Sequence, residues 1–235
     1  MYKTLIKRWL RWFVGLFAIK TKIDIHLGKD LVRETELLAF RSSAEFVEKH
    51  LLMARALDSK YMVLNHALSK LPPGKDGLYC EFGVYRGGTI NHVARQIKSK
   101  IYGFDSFQGL PEAWRDALPA STFTLKANLP KVENNVELIA GWFDATLPGF
   151  VEKHPGPLMF LHVDCDLYSS TKTIFKFLGN RLGSGSVIVF DEYFNYPGWQ
   201  QHEHLAFEEF IKETGHRFEY LAYNRYSNQV AVQLL

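Results

Sequence analysis

Four carboxylates stand at the ends of two short apolar runs: Asp164 and Asp166 in LMFLHVDCDLY, Asp191 and Glu192 in SVIVFDEY. Each run is followed by a helical pattern. In a parallel sheet all four acids would gather at the C-terminal edge of two strands, where open α/β sheets bind their ligands. Acids converging there repel one another unless a cation, a proton or a substrate hydroxyl relieves them. The cluster therefore points to chemistry, with a divalent metal as the first candidate for the missing charge.

A second constellation lies in EFGVYRGGT, where a strand pattern ends and a helix begins. Gly83, Gly87 and Gly88 allow a tight turn and let a ligand approach backbone N–H groups at a helix N-terminus. The G-x-x-x-G-G spacing differs from the G-x-G-x-x-G of dinucleotide binders, and Glu81 stands where a pyrophosphate would be repelled. An acid there suits a cationic ligand end. Asp105 closes the next strand, about two dozen residues on, where a carboxylate accepts ribose hydroxyls. An amino group for Glu81 and a ribose for Asp105 together describe S-adenosylmethionine. Each residue has a structural alternative: Glu81 paired with Arg86, Gly87 and Gly88 serving the loop alone.

The elements that must position these residues follow from periodicity. From about Asp30 to Leu71 the pattern is helical, with Asp58 and Ser59 as caps for the last helix and Pro72 to Gly74 as its stop. Strands and helices then alternate: GLYCEFGVY, IYGFDSF, VELIAGWF, LMFLHVDCDL and SVIVFDEY read as strands. RFEYLAY and NQVAVQLL close the chain, joined by a link too short for a crossover helix, so they must form an antiparallel hairpin. The expectation is a doubly wound, Rossmann-like, seven-stranded α/β sheet, mostly parallel, with a C-terminal hairpin and N-terminal helices. Residues 1–22 read as a basic amphipathic helix, 23–76 as a helical lid or extension, and 77–235 as the catalytic domain.

With 235 residues and a formal net charge of +3, the chain fits one α/β domain with an extension and gives no ground for nucleic-acid binding. Cys80 and Cys165 read as core thiols, and no His/Cys spacing resembles a zinc site. In TLIKRWLRWFVGLFAIK, apolar residues including Trp9 and Trp12 share one face and Lys3, Lys7, Arg8 and Arg11 the other. The apolar stretch is far shorter than the roughly 20 residues of a membrane span. A secretory signal is disfavoured because no small-residue cleavage site precedes Lys20. The segment suits peripheral contact with an anionic membrane, or packing on the catalytic domain or a second subunit of a homo-oligomer.

Taken in order, EFGVYRGGT, YGFDSFQGLPE, AGWFDATLP, LHVDCDLYSSTK and IVFDEY resemble the macrocin-type sugar O-methyltransferase family, class I enzymes that use S-adenosylmethionine. The resemblance runs from about Leu78 to Tyr193. It implies Glu81 at the methionine amino group, Gly83 under the cofactor, Tyr85 and Thr89 at the methionine end, and Asp105 with Ser106 at the ribose. Gly141, Trp142 and Phe143 would border the adenine. It also implies Mg²⁺ held by Asp164, Asp191 and Glu192, with Asp166 as general base. The family usually has two aspartates where this chain has Asp191-Glu192, so Glu192 reaches one methylene further.

The implied reaction joins a methyl group to a hydroxyl, preferably of a vicinal diol, on a small-molecule or glycan acceptor in the cytoplasm. A metal held by carboxylates would lower the hydroxyl pKa and fix its position. His162, His202 and His204 are alternative bases, though His162 suits a hydrogen-bonded core role and the other two a helix cap or surface. Tyr193, Phe194, Tyr196 and Trp199 could stack on a sugar or pack beneath the sheet edge. Two competing readings are a nicotinamide-dependent oxidoreductase, disfavoured by the glycine spacing, and a non-catalytic membrane-surface protein retaining the fold.

Overall fold

The computed structural model describes residues 30–74, 76–114 and 119–235. The basic amphipathic segment at 1–22 lies outside the described residues. The elements are α1 (Leu31–His50), β1 (Arg55–Leu57), α2 (Lys60–Leu68), β2 (Leu78–Phe82), α3 (Gly88–Ala94), β3 (Ile101–Asp105) and β4 (Val136–Ala140). They continue with α4 (Phe143–Lys153), β5 (Leu158–Val163), α5 (Tyr168–Leu178), β6 (Val187–Phe190), α6 (Glu203–Thr214), β7 (Phe218–Asn224) and β8 (Val230–Leu234). All seven strand runs expected from the sequence form.

The sheet order is β1-β7-β8-β6-β5-β2-β3-β4. Strand β8 pairs antiparallel with both β6 and β7, while the remaining pairings are parallel. The terminal hairpin thus folds β8 back antiparallel beside β7, as the short link 225–229 requires, and seats it between β7 and β6. Alternate residues of the strands feed two cores. One includes Leu161, Phe190, Ile174, Phe175 and Phe207, beneath α4, α5 and α6. The other includes Phe160, Val189, Val63, Leu64, Ile90 and Val93, beneath α2 and α3. Strands β2, β5 and β6 are buried along their whole length, which is why they read as unbroken apolar runs.

The helical reading of residues 30–71 needs one correction. Helix α1 ends at His50, and Arg55–Leu57 becomes an eighth strand, parallel to β7 with Arg55 opposite Ala222. Helical periodicity over LLMARAL would bury Met53, yet it is 97% exposed and only Leu57 of the strand is buried. Three residues on a sheet edge carry too few alternations for a period to register. Of the two expected caps of the last helix, Ser59 serves and Asp58 instead pairs with Arg225, while Asp30 caps α1. Asp30 accepts the N–H groups of Val32 and Arg33 at 3.0 and 3.3 Å, and Ser59 accepts that of Met62 at 3.3 Å.

Both cysteines are buried free thiols. None of the described helices is long and apolar enough to cross a membrane.

Candidate active site

Strand register begins the site. Glu81 of β2 lies opposite His162 of β5, and His162 opposite Val189 of β6. Side chains in register share a face. Here that is the α2–α3 face, because neighbours of the same parity, Tyr79, Phe160 and Val189, belong to the core beneath those helices. Two residues beyond His162 and Val189 stand Asp164 and Asp191. The ligand-capable atoms of His162, Asp164 and Asp191 lie within 4.8 Å of one another.

Glu81 has no exposed surface. It accepts the Thr89 hydroxyl at 2.8 Å and pairs with His162 Nδ1 at 2.8 Å. The far nitrogen, Nε2, is 3.8 Å from Asp191 Oδ1, an ion-pair distance too long for a hydrogen bond. Burial opposes a charge on His162, but Glu81, Asp191 and Asp164 outweigh it and raise the imidazole to about 10. The two coupled carboxylates diverge. Burial and the neighbouring Asp191 push Asp164 well above the usual range. Burial acts in the same direction on Asp191, but the His162 cation, Lys60 and the Gln229 amide hold it below its ordinary value. Lys60, in the first turn of α2, is itself kept protonated by Asp191 and Asp164 against the effect of burial.

The hairpin between β7 and β8 orients the Asp191-Glu192 pair. Gln229 donates its amide to Asp191 Oδ2 at 3.2 Å and is steadied by Asn224 at 2.7 Å. Asn228 donates to Glu192 Oε2. His162 Nε2 and Asp191 Oδ1 are buried without a hydrogen-bond partner.

A cleft of about 600 Å³ opens beside this cluster. It is lined by Gly83, Tyr85, Asp105, Ser106, Trp142 and Phe143, by Asp164, Cys165 and Asp166, and by Ser169, Ser170 and Thr173 of α5. Asp105 accepts the N–H groups of Tyr85 at 2.7 Å and Phe107 at 2.6 Å, one on each carboxylate oxygen, so the acid is fixed with a lone pair of each oxygen still open. Gly83, at φ +93°, cannot be replaced: a Cβ there would fall 1.6 Å from the Asp164 carbonyl oxygen. This close approach brings the first glycine turn against the acid-bearing loop.

Residues 80–193 match the protein family described as a methyltransferase domain. That match spans just under half of the chain. Two curated relatives are each 28% identical. One is an 8-demethyl-8-(2,3-dimethoxy-alpha-L-rhamnosyl)-tetracenomycin-C 4'-O-methyltransferase of Streptomyces olivaceus, aligned over 52% of this chain and 55% of its own. The other is a demethyldecarbamoylnovobiocin O-methyltransferase of Streptomyces niveus, aligned over 50% and 53%. The chain thus spans about half the length of the curated relatives it matches. Among solved structures, the calicheamicin methyltransferase CalS11 shares the fold with a TM-score of 0.60 at 19% identity, over 74% of this chain and 77% of that one. The O-methyltransferase NovP does so at 0.51 and 22%, over 74% and 76%.

Within the matched segment, the residues expected at the cofactor divide into two groups. Gly83, Tyr85, Asp105, Ser106, Trp142 and Phe143 line the cleft, as do Asp164 and Asp166. Glu81 and Thr89 sit behind it, bonded to each other. Gly87 is the left-handed cap of α3 at φ +79°, Gly88 opens that helix, and Gly141 continues β4 with its N–H on the Asp105 carbonyl. Asp191 and Glu192 lie beyond the lining, with Glu192 turned to Asn228. Tyr193, Phe194, Tyr196 and Trp199 are buried, and α1 holds their loop through Ser43 to the Asn195 N–H at 2.8 Å and Ser42 to the Trp199 indole at 3.1 Å. Packing, not an open stacking platform, is their role in this conformation. His204 packs edge-on against Phe46, Tyr193 and Trp199. His202 precedes α6 as its backbone cap.

Sequence reasoning missed Glu203, the fully buried first residue of α6. It accepts N–H groups from Cys165, Asp166 and Glu192 at 3.3, 3.2 and 3.2 Å. Burial first, then Asp166 and Glu192, push its carboxyl well above the usual range. An acid in the first turn of a helix is a readable signal, but it ordinarily means an exposed charge at the positive end of the dipole. Lys60 and the hairpin amides gave no signal in the sequence, because only the folded sheet brings them to the acids.

Proposed function

We propose that the chain is an S-adenosylmethionine-dependent O-methyltransferase acting on a hydroxyl, preferably of a vicinal diol, of a sugar-bearing small molecule. One observation supports this reading: Asp105, its carboxylate fixed by two backbone N–H groups as a ribose-binding acid would need to be, lines the same cleft as Asp164 and Asp166. The two Streptomyces relatives, both O-methyltransferases, support the hydroxyl part of it, and the rhamnosyl-tetracenomycin enzyme supports the sugar part.

Bound in the cleft, S-adenosylmethionine would supply a methyl carbon on a sulfonium, which the acceptor oxygen displaces in line while sulfur keeps the electron pair. Asp105 would hold the ribose, and Trp142 with Phe143 would flank the base. Asp166 would take the hydroxyl proton as the carbon–oxygen bond forms. The acids that line the cleft also suit a cationic cofactor.

The donor set fits a divalent cation. His162 Nε2 and Asp191 Oδ1 are buried without partners, and both converge with Asp164. His162 would serve as a neutral ligand with its Nδ1–H on Glu81, the outer carboxylate contact that metal-bound imidazoles ordinarily have. Glu192 stands outside the convergent group. When bound, the cation would lower the pKa of an acceptor hydroxyl and orient a diol. Asp164 and Asp191 would hold it, and Gln229 would keep Asp191 in place.

Calorimetric titration tests the cofactor. S-adenosylhomocysteine should bind at micromolar levels and NADH should not, and the reverse would sink the proposal. Turnover on a panel of glycosylated acceptors, with Mg²⁺ and with chelator, tests the chemistry. Peripheral membrane contact through residues 1–22 belongs to the same proposal for a cytoplasmic enzyme. Deleting them should release the protein from anionic vesicles, and retention would end that part of it.

A further inference from the structure

The hydrogen-bond ladder of the sheet ends at the two acid-bearing loops. The last ladder-like bonds are Asp164 N–H to the Phe82 carbonyl and Asp191 N–H to the Val163 carbonyl, both 2.8 Å. Beyond them the chain turns sharply, and Asp166 adopts the left-handed region at φ 63°. The next N–H groups, of Cys165 and Asp166 on one loop and Glu192 on the other, have no strand to pair with. A buried backbone N–H without an acceptor is costly, so their partner matters.

Their partner is one carboxylate. Glu203 Oε1 accepts from Cys165 at 3.3 Å and Asp166 at 3.2 Å, and Oε2 accepts from Glu192 at 3.2 Å. The side chain has no exposed surface and comes from α6, which packs on α5. Acting through two oxygens, it spans the loops that follow β5 and β6. A carboxylate suits this task because both ends accept, and the Glu192 N–H it accepts opposes the burial that favours its protonated form. A carboxamide would offer one accepting oxygen and turn an NH₂ group toward an N–H donor.

We infer that Glu203 is a positioning residue that locks the Asp164–Asp166 loop and the Asp191–Glu192 loop into one unit for methyl transfer. The inference rests on the methyltransferase reading for its catalytic consequence, but not for its structural one. Glu203 reaches the reaction only through backbone. It holds the left-handed turn at Asp166, so that the carboxylate meets the acceptor at the cleft wall, and it fixes the distance from that turn to the Asp191 loop. The cofactor wall of Gly83, Asp105 and Trp142 is set by other bonds.

The test uses the full chain saturated with S-adenosylhomocysteine and compares wild type with Glu203→Gln and Glu203→Ala. Amide hydrogen exchange should quicken at residues 165–167 and 191–193 together in Glu203→Ala, and in at least one of the two segments in Glu203→Gln. Exchange at residues 101–107 should be unchanged. With a methylated acceptor, kcat of Glu203→Gln should fall at least tenfold, with the KM for S-adenosylmethionine within threefold of wild type. Unchanged exchange at both loops, or unchanged kcat, overturns the inference. So does a parallel loss of cofactor affinity and melting temperature, which would mark a general packing role. A Glu203→Gln protein that fails to fold overturns it as well, because the isosteric change should leave the fold intact. If wild type binds S-adenosylhomocysteine but methylates nothing, the proposed activity fails, while the exchange result still decides whether Glu203 joins the loops.

Discussion

Glu81 and His162 form a 2.8 Å pair across adjacent parallel strands, and neither side chain has any exposed surface. The imidazole stands among three buried or half-buried acids, Glu81, Asp164 and Asp191. Removing one partner of a buried pair leaves the other uncompensated, at a cost of about 3–5 kcal/mol. His162→Leu should therefore lower the melting temperature, on the order of 10 °C for a chain of this size. Adding Glu81→Leu should recover part of that loss, because replacing both partners by apolar groups removes the stranded charge. Calorimetry of the two single variants and the double variant measures the coupling. Strictly additive changes would show that the pair does not act as a unit.

His204 offers a pH dependence of opposite origin. Burial first, then the neighbouring His50, lower its imidazole to about 4. An unfolded histidine takes up its proton near pH 6.5. Between those values the unfolded chain binds a proton that the folded chain refuses, so folding stability from this group is whole above pH 6.5 and drains away as pH falls toward 4. His204→Phe keeps an aromatic ring among Phe46, Tyr193 and Trp199 without the titration. Urea midpoints at pH 7 and pH 4.5 should draw apart less in the variant than in wild type. Equal differences would mean that other groups carry the acid sensitivity.

The sequence shows most of the frame and about half of the site, and the division has a physical basis. Buried parallel strands such as LMFLHV announce themselves because both faces are apolar, and the acids after them stand out by contrast. Gly83, Asp105, Trp142, Asp164 and Asp166 are visible for the same reason: each ends a strand at the ligand edge. The edge strand Arg55–Leu57 is not, since a three-residue pairing leaves no period to read. Nor is the partner of Glu81. Its burial against His162 depends on β2 and β5 being neighbours in register, a relationship across 81 positions of the chain. Glu203, Lys60, Asn228 and Gln229 are hidden likewise, because their meaning comes entirely from what the folded chain sets beside them.

Two glycines separate close approach from mere flexibility. A Cβ at Gly83 would collide with the Asp164 backbone at 1.6 Å, on a residue already at φ +93°, whereas one at Gly149 would meet nothing within 4 Å inside α4. Gly83→Ala should part β2 from the acid-bearing loop and lower the melting temperature. Gly149→Ala should raise it, since alanine is favoured over glycine in a helix by roughly 0.5–1 kcal/mol. Thermal scans of both variants check the pair of signs. A stable Gly83→Ala protein would refute the contact.

Asp191 separates metal binding from cofactor binding. Its Oδ1 faces His162 and Asp164, its Oδ2 is held by Gln229, and it stands behind the wall that Gly83, Asp105 and Trp142 present to the cleft. Asp191→Asn removes an anionic ligand but keeps the side-chain volume. If the cluster holds a divalent cation, Mn²⁺ affinity should fall at least tenfold and turnover should fall with it. S-adenosylhomocysteine affinity should stay within about threefold. Gln229→Leu should weaken Mn²⁺ by a similar or smaller factor, since outer contacts to metal ligands are typically worth 10–100-fold in affinity or activity. Titrations of Mn²⁺ by the signal of the free ion, beside calorimetry of the cofactor product, give the two affinities independently. An Asp191→Asn protein that binds Mn²⁺ like wild type but has lost S-adenosylhomocysteine would assign this acid to the cofactor. The imidazolium of His162 and the ammonium of Lys60 would then be the counter-charges of the buried acids.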